Sequence, residues 1–184
     1  MTPRIPVAPE ANLDPGAKTL LDQVGRALGM VPNLHKTLAN APAALRAYHD
    51  ASRHLAGSTL SPQLKEQLAI ATAGQNRCGY CASAHTLLGR GAGIADAELE
   101  RNLRGEASTP SAAAALRFVK ELLQHRGQVD DAALQRMRDA GFDDASILEV
   151  VAHVALNVFS NFVNNVAETV IDFPVVALPQ EVAR

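Results

Sequence analysis

The sequence has no tryptophan, and its aromatic residues are two tyrosines and five phenylalanines, 4% of the chain. That is too few for the rows of stacked rings that hold single-stranded nucleic acid. Basic excess is missing too: 17 Lys and Arg stand against 19 Asp and Glu, a net charge of −2. A nucleic-acid binder would normally carry a strong positive patch. No uninterrupted apolar run approaches the roughly 18 residues of a membrane span, so none is expected. The first fifteen residues hold four prolines and no continuous apolar stretch, unlike a secretory leader. Cysteine is nearly absent as well. The two that exist, Cys78 and Cys81, are too few and too close for a secreted disulfide framework. A cytoplasmic protein is expected.

What is present suits one globular domain. The 184 residues are 47% hydrophobic and 20% charged, which excludes global disorder. Pro and Gly fall between periodic segments, as helix starts and stops do. Asp14-Pro15 to Gly29 reads as a helix, Met30–Asn40 as a poorly defined helical turn, and Pro42 to Gly57 as a helix. Ser61-Pro62 opens another that runs to Gln75, with Gly74 and Asn76 as its breakers. A further helix starts at the cysteines. Others follow from Asp96 to Gly105, Thr109-Pro110 to Gly127, and Asp130 to Gly141, and a last one runs from Asp143 towards Ile171. Period-two alternation with hairpin turns is missing. The fold class is therefore an all-α, compact multi-helix bundle across residues 1–184, with its core at about 14–175. The segment VVAHVALNVF, 150–159, is apolar nearly all round, so this helix belongs either at the bundle centre or at a subunit interface.

The chemistry concentrates in one stretch. Cys78, Cys81 and His85 share a helical face at spacings of three and four residues. Helix breakers before Cys78 place it near a helix N-terminus, where the partial positive charge favours a thiolate. His85, one turn beyond Cys81, favours that residue instead as the activated nucleophile. Glu66, twelve residues upstream on the preceding helix, can fold back to orient His85 or relay its proton. Three chemistries fit: a thiol pair cycling through a disulfide, a zinc module built from Cys78, Cys81, His85 and Glu66, or two structural cysteines beside a core histidine. A thioredoxin fold is excluded, since no strand precedes the CxxC. No phosphate loop or dinucleotide fingerprint is present, so no cofactor is expected and electrons would come from a dithiol.

Glu66, Cys78-Gly-Tyr-Cys81 and His85 together resemble the Glu-x11-Cys-x2-Cys-x3-His motif of the alkylhydroperoxidase D-like branch of the carboxymuconolactone decarboxylase superfamily. The segment 157–174, with Asn157, Asn161, Asn164, Asn165, Thr169, Asp172 and Pro174, resembles the closing signature of its peroxidase-related members. The likeness spans about 14–175. It implies an all-α homo-oligomer, trimer or hexamer, that reduces a small hydroperoxide at the expense of a dithiol or an adaptor protein. In that resemblance Cys81 is the attacking cysteine, Cys78 the resolving one, and His85 with Glu66 the proton relay. The family pattern has a second histidine just before its second cysteine. Here Tyr80 stands there, able to donate a hydrogen bond but not to act as a base near neutral pH. A cofactor-free lyase on the same fold is a further alternative, and its activity should survive replacement of both cysteines by serine.

Among the remaining polar residues, His153, Asn157, Ser160, Asn161 and Asn164 form a stripe on the apolar last helix, expected to hydrogen-bond to neighbouring helices or across subunits. Lining the redox pocket is its functional alternative. His35, His49, His54 and His125 read as solvated, and Lys65 as a surface charge. Arg77, just before Cys78, reads either as a solvated helix end or as a support for a thiolate.

Overall fold

A computed structural model describes residues 2–179; residue 1 and residues 180–184, the end of the expected tail, lie outside the described residues. Among the described residues the chain is all-helical, with no strand. In order, the helices are α1 (Pro15–Leu28), α2 (Asn33–Leu38), α3 (Pro42–Ala56), α4 (Pro62–Gln75), α5 (Gly79–Gly91), α6 (Asp96–Leu103), α7 (Pro110–Gln124), α8 (Asp131–Asp139) and α9 (Asp144–Ala167).

The starts follow local chemistry. Side-chain oxygens of Asp14, Ser61, Thr109, Asp130 and Asp143 accept the backbone N–H three residues on. Each such cap stabilises its helix by about 1 kcal/mol. Proline in the first turn of α1, α3, α4 and α7 presets the backbone where no donor is needed. The ends hold some surprises. The segment expected as an ill-defined turn contains an ordered helix, α2. The helix from Pro110 ends at Gln124, short of Gly127, and the last stops at Ala167, where Glu168 turns left-handed at φ 48°.

Two apolar clusters share α4. Ile70 and Ala73 join Leu45, Leu99 and the cysteine helix, whereas Leu68 and Ala71 join Leu116, Val119, Met137 and Val150. Every residue of α4 from Gln67 to Ala73 is buried. Its alternation of large and small side chains lets α5, α6, α7 and α9 all approach it. The helix surrounded at the centre is thus α4; for α9 the apolar run had left the bundle centre and a subunit interface both open. Close packing also explains Gly74, read from the sequence as a breaker. It lies inside α4, and a Cβ there would overlap the carbonyl oxygen of Leu103 on α6.

The helix α9 is two-faced. Val150, His153, Val154, Asn157, Asn161 and Asn164 are buried, while Leu148, Phe162 and Val166 are exposed. Among the described residues it is the helix long and apolar enough to cross a membrane, with a mean hydropathy of 1.5 over 18 residues. Its buried polar stripe instead packs on the bundle. Described segments on either side of the helices are strapped to the bundle surface. Arg4 and Ile5 donate to the Ala167 carbonyl at 2.8 and 3.2 Å. Beyond α9, Asp172 accepts from the Asn33 N–H at 2.8 Å, and the Val176 N–H donates to Ser83 Oγ at 3.1 Å.

Candidate active site

The joint between α4 and α5 has no spare residues. The Cys78 N–H donates back to the Ala73 carbonyl at 2.9 Å and the Arg77 N–H to Gly74 at 3.3 Å. These are the paired bonds of a Schellman end, with Arg77 at φ 53° in the left-handed position usually filled by glycine. Cys78 therefore ends one helix and caps the next: its Sγ accepts the Cys81 N–H at 3.2 Å. One turn of α5 brings Cys81 beside it, and both are free thiols. Both are also sealed, Cys78 at 0% and Cys81 at 3% exposure.

Glu66 does fold back. Its Oε2 lies 2.8 Å from His85 Nδ1, and both side chains are largely buried. With Nδ1 held by the carboxylate, Nε2 is the nitrogen left to exchange a proton. Burial works against the imidazolium, yet the hydrogen bond and charge of Glu66, with that of Cys81, raise the His85 pKa above its ordinary value.

The two cysteines are electrostatically unequal. Burial pushes Cys81 up, but the Cys78 thiol donating to its sulfur, the His85 charge and the amides of Asn164 and Asn161 outweigh it. The result is a pKa of about 7. Cys78 moves the other way, well above the ordinary thiol range, because its proton is held by Cys81 and because it is buried next to that charge. Both shifts favour Cys81 over Cys78 as the thiolate. The positive end of α5, which had favoured Cys78, is met by Cys78 as a cap acceptor.

One group was given to the site from the sequence only as an alternative, and another not at all. Asn164 Nδ2 donates to Cys81 Sγ at 3.2 Å, across 83 residues of chain. Asn161 is tied to the helix joint by Asn76 Nδ2 at 3.0 Å, and Asn165 donates to the Asn76 carbonyl at 2.9 Å. The polar stripe of α9 thus divides. Asn161 and Asn164 belong to the sulfur's surroundings. Asn157 and Ser160 bond to their own helix backbone, and His153 Nε2 meets Ser58 Oγ at 3.0 Å. The second group is Tyr48, whose phenol is raised by burial and by the nearby negative charges of Cys81 and Glu66. Its only sequence signal was aromatic scarcity.

Tyr80 faces away from proton relay. Its oxygen accepts the Leu34 N–H at 3.1 Å, and its ring stands edge-on to Phe173 at 5.5 Å. Burial raises its pKa, the Leu34 donor opposes this, and Asp172 adds to the rise. It anchors the C-terminal strap. His35 is not solvated as expected: it packs edge-on to Tyr48 at 5.5 Å, and burial, helped by His49, lowers its pKa to about 4 against the pull of Asp172. Lys65 is also more than a surface charge, for its Nζ donates to the Ala56 carbonyl at 2.8 Å and to that of Ser58 at 3.3 Å, closing the end of α3. His54 and His125 are exposed as expected, Arg77 is exposed, and His49 is half-buried. No group of three His, Cys, Asp or Glu side chains is placed to hold a metal ion among the described residues.

The site is a buried, asymmetric dithiol beside a Glu–His pair in an all-helical bundle, and comparison with known proteins shows what the chain is similar to. Residues 39–121, from just after α2 into α7, match the carboxymuconolactone decarboxylase family, and the chain resembles the alkylhydroperoxidase D-like part of that superfamily. It is similar over 94% of its length to 93% of an uncharacterized peroxidase-related protein from Ralstonia eutropha JMP134 with an alkylhydroperoxidase AhpD core, at 25% identity and a TM-score of 0.85. A peroxidase-related protein from Silicibacter sp. TM1040 aligns over 92% of this chain and 94% of its own, at 22% identity and a TM-score of 0.79. The debrominase Bmp8 shares the fold at 16% identity, with 91% of both chains covered and a TM-score of 0.75. No curated protein matches the sequence significantly.

Proposed function

We propose that the protein is a thiol-dependent hydroperoxide reductase with Cys81 as its attacking group. The observation that carries this reading is the Asn164 amide donating at 3.2 Å to a buried sulfur that also takes the Cys78 thiol's hydrogen bond and feels the His85 charge, which together hold the Cys81 pKa near 7. At neutral pH about half of such a thiol is thiolate, where an ordinary cysteine shows a few per cent. The thiolate attacks the terminal oxygen of R–O–O–H. A sulfur–oxygen bond forms, the O–O bond breaks, and the departing alkoxide takes a proton from His85, leaving ROH and a Cys81 sulfenic acid. Cys78 then attacks the sulfenic sulfur; its proton joins the departing hydroxyl as water, and a Cys78–Cys81 disulfide remains. An external dithiol, small or on an adaptor protein, supplies two electrons and two protons by thiol–disulfide exchange. Glu66 holds His85 charged and turned to the sulfur.

That dependence on a dithiol fits the reducing cytoplasm. The exposed apolar face of α9 fits assembly into the expected homo-oligomer, since Leu148, Phe162 and Val166 would otherwise stand in water. The test is intact-mass measurement after one equivalent of hydroperoxide. Wild type should lose two hydrogens, Cys78→Ser should gain oxygen at Cys81, and Cys81→Ser should react far more slowly. A Cys81→Ser variant oxidised as fast as wild type would reverse the roles. No mass change in wild type or either variant would end the peroxidase reading.

A further inference from the structure

The bond from Asn164 Nδ2 to Cys81 Sγ joins two helices at positions 83 residues apart, and both residues are 3% exposed. Such a bond is only as well placed as the helices that carry its two ends. Asn76 is the residue that fixes them against each other. It directly precedes the left-handed turn at Arg77 that leads into Cys78. Its Nδ2 donates to Asn161 Oδ1 at 3.0 Å, and its carbonyl accepts from Asn165 Nδ2 at 2.9 Å. Asn161, Asn164 and Asn165 stand at i, i+3 and i+4, on one face of α9. One tie therefore falls a turn before Asn164 and the other one position after it, and both end on the same residue.

The bonds close a ring. From Cys81 it runs through the first turn of α5 to the capping Cys78 and across Arg77 to Asn76. It then crosses to α9 through Asn161 and Asn165 and returns to Cys81 by the Asn164 amide. The joint itself is held by the Cys78 N–H on the Ala73 carbonyl. Asn161 is fully buried, and its Nδ2 has no hydrogen-bond partner among the described residues, so Asn76 sets the orientation of that side chain. We propose that Asn76 is a positioning residue for the reactive thiol: through Asn161 and Asn165 it sets α9 so that the Asn164 amide meets Cys81 Sγ. The proposal rests on the reading of Cys81 as the attacking sulfur, and not on what that sulfur attacks. The titratable groups whose charge reaches the sulfur are Cys78, Tyr80 and His85 from α5, Glu66 from α4 and Tyr48 from α3. To these α9 adds a neutral amide, whose hold on a thiolate weakens steeply as distance and angle are lost.

The test is the rate of iodoacetamide alkylation of Cys81 against pH in the full-length reduced protein, with the modified residue located by peptide mass. Asn164→Ala should raise the midpoint by about one unit and slow alkylation at pH 7 about fivefold, the effect of one hydrogen bond to a charge. Asn76→Ala removes the donor to Asn161, and Asn165→Ala removes the other tie from an exposed position. Each should slow alkylation at pH 7 by about two- to threefold. Neither should add anything in the Asn164→Ala background, because its effect passes through that amide, whereas a general loosening of the fold would act in both backgrounds. By NMR the Asn164 side-chain amide should follow the Cys81 titration in wild type, and with smaller amplitude in Asn76→Ala and Asn165→Ala. This second measurement decides should Asn164→Ala lose its native spectrum. A wild-type midpoint in either tie variant, or a shift that persists undiminished without Asn164, overturns the proposal. If hydroperoxide left wild-type Cys81 unoxidised, the peroxidase reading would end and the positioning role would stand. Oxidation of wild type, with tie variants that titrate as it does, would do the reverse.

Discussion

Replacing Cys78 with alanine should raise the pKa of Cys81, whereas replacing it with serine should not. In the reduced protein the Cys78 thiol donates to the Cys81 sulfur, and this donor is the largest of the influences that hold Cys81 down against its burial. A hydrogen bond to a charged group contributes about 1.5–3 kcal/mol, equivalent to roughly one to two pKa units. Alanine should thus move Cys81 from about 7 to roughly 8–9. At pH 7 the thiolate fraction would fall from about one half to between about 1% and 10%, and attack on an electrophile would slow by about five- to fiftyfold. Serine keeps an O–H donor and an oxygen able to cap the Cys81 N–H, so its curve should stay near that of wild type. The assay is the rate of alkylation by iodoacetamide against pH, with ultraviolet thiolate absorbance as a second readout. Neither depends on peroxide or on turnover, and in both variants Cys81 is the one thiol left. The reasoning is refuted if the alanine and serine variants titrate together at the wild-type midpoint.

Glu66→Gln removes the charge that raises His85, so the ring should titrate at lower pH than in wild type when followed by proton NMR. The sign follows from linkage: the stabilisation of folded imidazolium by Glu66 is full below the unfolded value near 6.5 and is lost as pH rises through the raised folded value, and the variant should lack that window. Gly74→Ala places a methyl against the Leu103 carbonyl and should destabilise the fold by about 1–3 kcal/mol in urea unfolding; a change within error would show that α4 and α6 can part. Phe162→Glu puts a charge on the exposed face of α9 and should lower the mass found by light scattering if that face joins subunits. An unchanged mass would place any interface elsewhere.

The reach of the sequence follows the distance over which each feature is determined. Caps at Asp14, Ser61, Thr109 and Asp143 are local, and they announced the helices they open. Glu66, Cys78, Cys81 and His85 sit within 20 residues on two consecutive helices, so helical spacing alone could bring them to one place. Asn164 is set by how α9 crosses α5, 83 residues further on, and a buried asparagine on an apolar helix has the same pattern whether it serves a sulfur or a neighbouring backbone. His35 was misread for a related reason. Its own helix is polar, and the Tyr48 ring that covers it arrives from α3. Gly74 shows the opposite limit, for a glycine that lets two helices touch and one that ends a helix are the same letter.

The Schellman joint at Arg77 turns the stretch from Glu66 to Cys78 into a ruler. From Glu66 to Gln75 the chain is continuous helix, each residue advancing about 1.5 Å and turning about 100°. The two residues that follow, Asn76 and Arg77, reverse direction with no slack to absorb an error. One residue inserted in α4 between Glu66 and the joint would swing the carboxylate about 100° around the helix, away from His85, while leaving every side chain of the site in the sequence. A gain or loss of one residue between Glu66 and Cys78 should therefore disable the site as surely as losing a cysteine.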